Sequence, residues 1–216
     1  MRNLAVWLSE HTVNAAIALL TLICGMFLIG VALARRNSTK ETTVNKQVQP
    51  PTALDMALAD IEKALKNEMF YLALVGALTL IDMCAALESA DGRTSRTKLE
   101  NWFNAHLQKH YPWLQGEDCY GLRCGLVHQG IVKTSAQGHQ SAWNRTLFVF
   151  TSMKNCGAND AYITSLPIFC RDVCSEVRAW IAAKKTDPNV QKNMQNLMKL
   201  HRTGLTGYIE GVPVLG

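Results

Sequence analysis

Arg123-Cys124-Gly125-Leu126-Val127-His128 place an arginine and a histidine five residues apart, inside a segment (Glu117 to Val132) that reads as a helix. A guanidinium is a permanent, forked charge suited to phosphate, and an imidazole is the side chain best suited to move a proton near neutral pH. On an ideal helix the two lie about 140° apart with a rise of about 7.5 Å, so they do not share a face. Convergence requires the long arginine to reach, a distorted helix, or a second subunit. Glu117 and Asp118 put negative charge on the first turn of this helix, where the dipole favours it, and Asp118 and Cys124 are supporting candidates for the site. Gly121 and Gly125, four apart, leave a bare stripe that suggests association about a two-fold axis.

The elements that must position this pair read as helices. Ala53 to Asn67 places Leu54, Ala57, Leu58, Ile61 and Leu65 on one face. Glu68 to Ser89 is apolar almost all round, but Asp82 and Glu88 interrupt it, so it reads as a central core helix rather than a membrane span. Asp82 and Glu88 are therefore candidates to orient His128 or to pair with Arg123. Asp91-Gly92 marks a turn, and Thr97 with Glu100 has the spacing of a capping box opening a helix that reaches Lys109. Thr146 to Phe150 and Ala161 to Thr164 have strand composition and suggest a small hairpin. Further helices are expected from Pro167 to Lys185 and from Val190 to His201, with a loose tail at 206–216. The expected class is all-α, a helical bundle over residues 53–205 with the hairpin as an insertion.

No GxGxxG, P-loop, HExxH or internal repeat is present. His106 and His110 sit at i,i+4, as do Cys170 and Cys174, but neither pair has a third ligand beside it, so no metal and no cofactor are expected. Trp102, Phe103, Tyr111 and Trp113 read as core or rim aromatics before they read as base-stacking platforms.

Thr12 to Ala34 carries no charge. As a helix its 23 residues rise about 34 Å, enough to cross a hydrocarbon core of about 30 Å. Ala32-Leu33-Ala34 resembles a signal-peptidase site, but the apolar run is longer than a usual signal core. Residues 1–11 then form a short N-terminal segment, and 35–52, ending in Pro50-Pro51-Thr52, form a flexible linker. Arg35 and Arg36, with Lys40 and Lys46 behind them, outweigh Arg2. The positive-inside rule makes this a single-pass inner or plasma membrane protein, N-terminus outside and C-terminal domain cytoplasmic. Of the formal charge of +5, residues 1–52 carry +3 and the remaining domain only +2 without a long basic run, so charge gives no case for nucleic-acid binding. The cysteines, scattered among apolar residues, read as reduced buried thiols.

Three blocks together resemble the HEPN superfamily, whose hallmark is R-x(4–6)-H on a helix of an α-helical bundle. They are Tyr71 to Leu78 (YLALVGAL), Asp82 to Glu88 (DMCAALE) and Glu117 to Gly130 (EDCYGLRCGLVHQG). The similarity is to the uncharacterised group labelled pEK499-p136-like, over roughly residues 55–180 and excluding the apolar N-terminal stretch. The resemblance implies a metal-independent endoribonuclease acting as a homodimer, with two Arg/His pairs facing one cleft. His128 would be general base or acid, and Arg123 would hold the phosphate. The substrate would be RNA and not DNA, because the nucleophile is a ribose 2′-OH. Catalytic members often carry Asn, Asp or His directly after the arginine, where this chain has Cys124. The alternative is a non-catalytic module of the same kind that dimerises and binds nucleotide, RNA or protein. A third is a structural, membrane-tethered helical protein.

Overall fold

The computed structural model describes residues 50–134 and 141–216. The N-terminal segment, the apolar stretch 12–34 and the linker up to Gln49 lie outside the described residues. Residues 50–216 form one compact unit.

Helix α1 (Ala53–Lys66) opens on a capping box. The Asp55 amide donates to Thr52 Oγ1 at 3.3 Å and the Thr52 amide donates to Asp55 Oδ2 at 2.9 Å, satisfying two of the free amides at the helix start. Thr52 therefore belongs to the domain rather than to the linker. Leu54, Leu58, Ile61 and Ala64 are the buried stripe of α1. The chain reverses at Glu68, in the left-handed region at φ 57°, into helix α2 (Phe70–Glu88). Gly76 lets the two helices close up, since a Cβ there would come within 2.8 Å of Ile61 Cγ1.

By length and composition α2 is apolar enough to cross a membrane. Instead it is the central helix, packed by α1 and by four further helices. These are α3 (Arg96–His106), α4 (Gly116–Gln129), α5 (Leu166–Ala183) and α6 (Pro188–Gln195). Trp102, Phe103, Tyr111 and Phe169 fill the core around it. Each large apolar side chain so buried contributes about 1.5–3 kcal/mol relative to exposure.

Helices make up most of the domain, as expected, and the β insertion is a three-stranded sheet of order β1-β3-β2: β1 (Arg145–Val149), β2 (Cys156–Ala158) and β3 (Ala161–Ser165). The two segments expected to form a hairpin are neighbours, but parallel, with Arg145 opposite Ala161 and Val149 opposite Ser165. The hairpin is β2–β3, turned at Asn159, which has φ 53°. The short β2 lacks an alternating apolar pattern, which is why composition passes over it.

Three other boundaries move. Helix α3 is capped by Ser95, whose hydroxyl accepts from the Lys98 amide, and Glu100 pairs with Arg96 at 2.6 Å instead of closing a box with Thr97. Helix α6 ends at Gln195, and the expected last turns become strand β4 (Leu200–His201). The expected loose tail is paired: β5 (Gly204–Leu205) with β6 (Ile209–Glu210), and β4 with β7 (Val214–Leu215).

Candidate active site on the α2–α4 face

Helix α4 begins at Gly116, where a Cβ would overlap the Glu100 backbone, so glycine permits α3 and α4 to approach. Asp118, at the third position, accepts from the Gln115 amide at 2.8 Å and is buried. There it fixes the start of the helix. The helix ends at Gly130 and not at Val132, because Gly130 adopts φ 69° and the Ile131 amide turns back to the Gly125 carbonyl at 3.1 Å. His128 is therefore in the last turn, exposed.

This ending disposes of the glycine stripe. Gly121 and Gly125 are both buried within the single chain, and a Cβ on Gly125 would lie 2.8 Å from the Ile131 carbonyl oxygen. The close approach they permit is taken up at Gly125 by the chain's own turn, not by a second helix.

Arg123 and His128 do meet. Arg123 Nη1 lies 3.1 Å from His128 Nε2, reached by the length of the arginine within one chain. On its inner side Arg123 Nε sits 2.5 Å from Asp82 Oδ2. The Nε–H is not aligned on that oxygen, so the contact is a charge pair rather than a hydrogen bond. Asp82 Oδ1 accepts from Thr94 Oγ1 at 3.2 Å. The side chains of Asp82 and Arg123 are 12% and 26% exposed, so the line Asp82–Arg123–His128 runs from the core helix out to solvent, with the exposed Thr94 at its side. Arginine has five N–H donors and no acceptor. Its contact with His128 is therefore a hydrogen bond only if Nε2 presents its lone pair, which places the proton of a neutral ring on Nδ1.

Of the two acids expected near the pair, Asp82 is there and Glu88 is not. Glu88 accepts from Trp180 Nε1 at 2.7 Å and pairs with Lys184 at 3.1 Å, tying α2 to α5. Cys124 is half-buried, and its thiol lies close to Tyr120, one turn earlier. The thiol, and then burial, raise the Tyr120 phenol, and the nearby Arg96 and Arg123 only partly offset them. Beneath them Cys119 is driven upward by burial and then by the charges of Asp82 and Asp118.

Tyr120 and Thr94 are the neighbours that sequence reasoning missed. Tyr120 was available, because it lies three residues before Arg123 on the same helix face. Thr94, in the α2–α3 loop, carries no local signal. Among the described residues no group of three His, Cys, Asp or Glu side chains could hold a metal ion. His106 instead stacks on Trp102 at 4.6 Å and His110 pairs with Glu176 at 2.8 Å.

The segment leaving the site is pinned to the sheet. The Thr146 amide donates to the Val132 carbonyl at 3.2 Å, and Lys133 bridges to Arg145. Between them an open groove of about 670 Å³ runs from Gly130 past Lys133, Asn144 and Arg145. It begins two residues beyond His128.

No protein-family model matches this chain, and no curated protein or solved structure matches it.

Proposed function

We propose that this chain is a membrane-anchored, HEPN-like endoribonuclease that cleaves RNA without a metal ion, using Arg123 and His128 at a cleft completed by a second copy. The observation that carries this reading is the 3.1 Å contact between Arg123 and His128 with Asp82 behind it. A fixed cation and a proton-transfer group meet on α4, and the chain leaving that helix lines a groove with Lys133, Arg145 and Asp160.

The chemistry follows from the donors. An incoming phosphate takes the free Nη hydrogens of Arg123, while Asp82 keeps Nε from swinging away. Drawing the guanidinium onto the phosphate releases the His128 Nε2 lone pair, which accepts the proton of the ribose 2′-OH. The bond from the 2′-oxygen to phosphorus forms and the bond from phosphorus to the 5′-oxygen breaks. The products are a 2′,3′-cyclic phosphate and a 5′-hydroxyl, the leaving oxygen taking its proton from water or from the second copy's imidazole. Negative charge gathering on the phosphoryl oxygens is met by Arg123. Lys133 and Arg145 suit the next phosphates of the strand.

The test is RNA cleavage by the full chain in EDTA, wild type against His128→Ala. EDTA-resistant cleavage that disappears in the variant supports the enzyme. Cleavage by both proteins alike, or by neither, defeats it.

A second reading is a non-catalytic module of the same kind that binds RNA or nucleotide. It is favoured by Asp82, which already neutralises Arg123, and by Cys124, which stands where catalytic HEPN proteins often carry Asn, Asp or His. Intact RNA with retained binding supports it.

A further inference from the structure

The last nineteen residues are unusual for a surface tail. Five of the thirteen large apolar side chains most exposed among the described residues fall there: Met198, Tyr208, Ile209, Val212 and Leu215. Tyr208 is 87% exposed. Tyr208 and Ile209 stand side by side there, and adjacent large apolar groups left exposed mark a surface that meets something other than water. These side chains are not on a frayed end. The Tyr208 amide donates to the Leu205 carbonyl at 3.0 Å, closing the β5–β6 hairpin, so Tyr208 and Ile209 are held at its tip.

The place of this tail in the fold says what it meets. Its base is laced to the start of the domain. The Ala53 amide donates to the Met198 carbonyl at 2.7 Å, the Leu200 amide donates to the Pro51 carbonyl at 3.0 Å, and Thr52 bridges to Lys199. Gly216 and Lys199 exchange backbone hydrogen bonds at 2.7 and 3.1 Å. The tail is thus the part of the domain beside Pro50. Residues 35–49 join Pro50 to the charge-free stretch 12–34. A polar chain of that length spans about 20–25 Å on average. If 12–34 crosses a bilayer, a linker of that reach lets the tail beside Pro50 touch the headgroups. Within residues 200–216 Arg202 and Glu210 balance, so apolar contact rather than charge is what this face offers. Tyr is also a side chain favoured at the membrane–water boundary.

We propose that the paired tail, residues 200–216, is a lipid-docking face that rests on the surface of the membrane holding the chain. This rests on the membrane reading of residues 12–34. A tyrosine and an isoleucine alone would bind lipid weakly. Tethering raises their effective concentration at the surface, so weak insertion suffices. Docking fixes one orientation of the domain, which a flexible linker by itself does not.

The experiment uses the full chain in vesicles of phosphatidylcholine with phosphatidylglycerol, and in detergent micelles. Thr206→Cys, at the exposed hairpin turn, is labelled with a membrane-impermeant maleimide, and the adduct is read by peptide mass. Lys66→Cys, at the far end of α1, is the reference. The expected result is labelling at Thr206→Cys slowed about tenfold in vesicles with Lys66→Cys unchanged, and the slowing abolished by adding Tyr208→Ser and Ile209→Ser. Equal rates in vesicles and micelles, or slowing that survives the two serines, overturn docking. Slowing that grows with the protein-to-lipid ratio points to a second copy and also overturns it. Alkaline carbonate extraction separates the two readings. Release from the vesicles defeats the anchor and docking together, whereas retention without slowing defeats docking alone.

Discussion

The guanidinium of Arg123 hydrogen-bonds the ring of His128 at 3.1 Å, and only Nε2 of the ring can accept it. On the proposed reading, the group that would bind phosphate covers the ring nitrogen that would take the proton, and phosphate binding uncovers it.

Replacement of Arg123 by lysine keeps the charge but removes the fork that touches Asp82 and His128 together. RNA cleavage is expected to fall about 100-fold or more, as for loss of a transition-state donor. His128→Ala is expected to lower it at least as far while leaving Tm within about 2 °C, since the ring is exposed. Single-turnover cleavage and thermal melts check both.

Asp82→Asn leaves Arg123 half-buried without its counter-charge. The expected cost is about 1–3 kcal/mol, read in urea as a lower midpoint at unchanged slope. Glu88→Gln weakens the link to Trp180 and Lys184 and is expected to destabilise without altering RNA cleavage, because Glu88 lies outside the site.

The thiols should separate by burial. Burial pushes Cys170 up to about 12 and Cys174 up to about 11, and drives Cys84 and Cys119 upward as well. Alkylation of the folded protein at pH 8 is expected to label Cys124 and Cys156, both half-buried, well before those four. Mass spectrometry of the labelled peptides gives the order.

Gly130→Ala forces a side chain into the left-handed turn that ends α4. A loss of about 1 kcal/mol is expected, with Gly130→Asn less costly because asparagine tolerates that conformation. Cleavage should fall more than stability, since the turn sets His128.

At Glu176, burial raises the carboxyl, but hydrogen bonds from His110 and Lys109 outweigh it and hold it below its usual value. A carboxyl depressed in the folded state stabilises above its unfolded pKa and loses that contribution as pH falls through the folded value. Acid unfolding of Glu176→Gln is therefore expected to depend less on pH below the ordinary carboxylate range than that of the parent chain. Denaturant melts at stepped pH test the difference.

Much of the helical framework was legible because its signals are local. The stripe Leu54–Leu58–Ile61 and the proline at the start of α5 each act within a few residues. The end of α4 was equally local, in Gly130, yet the apolar Ile131 and Val132 masked it. The sheet was not legible in this way, because the parallel pairing of β1 with β3 depends on contacts sixteen residues apart. At the site, the residue types and their spacing were readable, as was Asp82 as a partner. The angular separation on the wheel argued against contact, and it was the reach of one long side chain near a helix end that closed the gap. That Glu88 faces Trp180 rather than the motif depends on where α5 packs, which no short window contains.

Because Asp82 is carried by α2, which every other helix of the domain touches, the position of the guanidinium is indexed to the interior. A cavity opened beside it, as by Leu78→Ala one turn earlier on the same face, can displace the acid by a fraction of an ångström at temperatures where the chain is still wholly folded. Function should then fade below the melting point, making the hydrocarbon interior a silent adjuster of the surface chemistry.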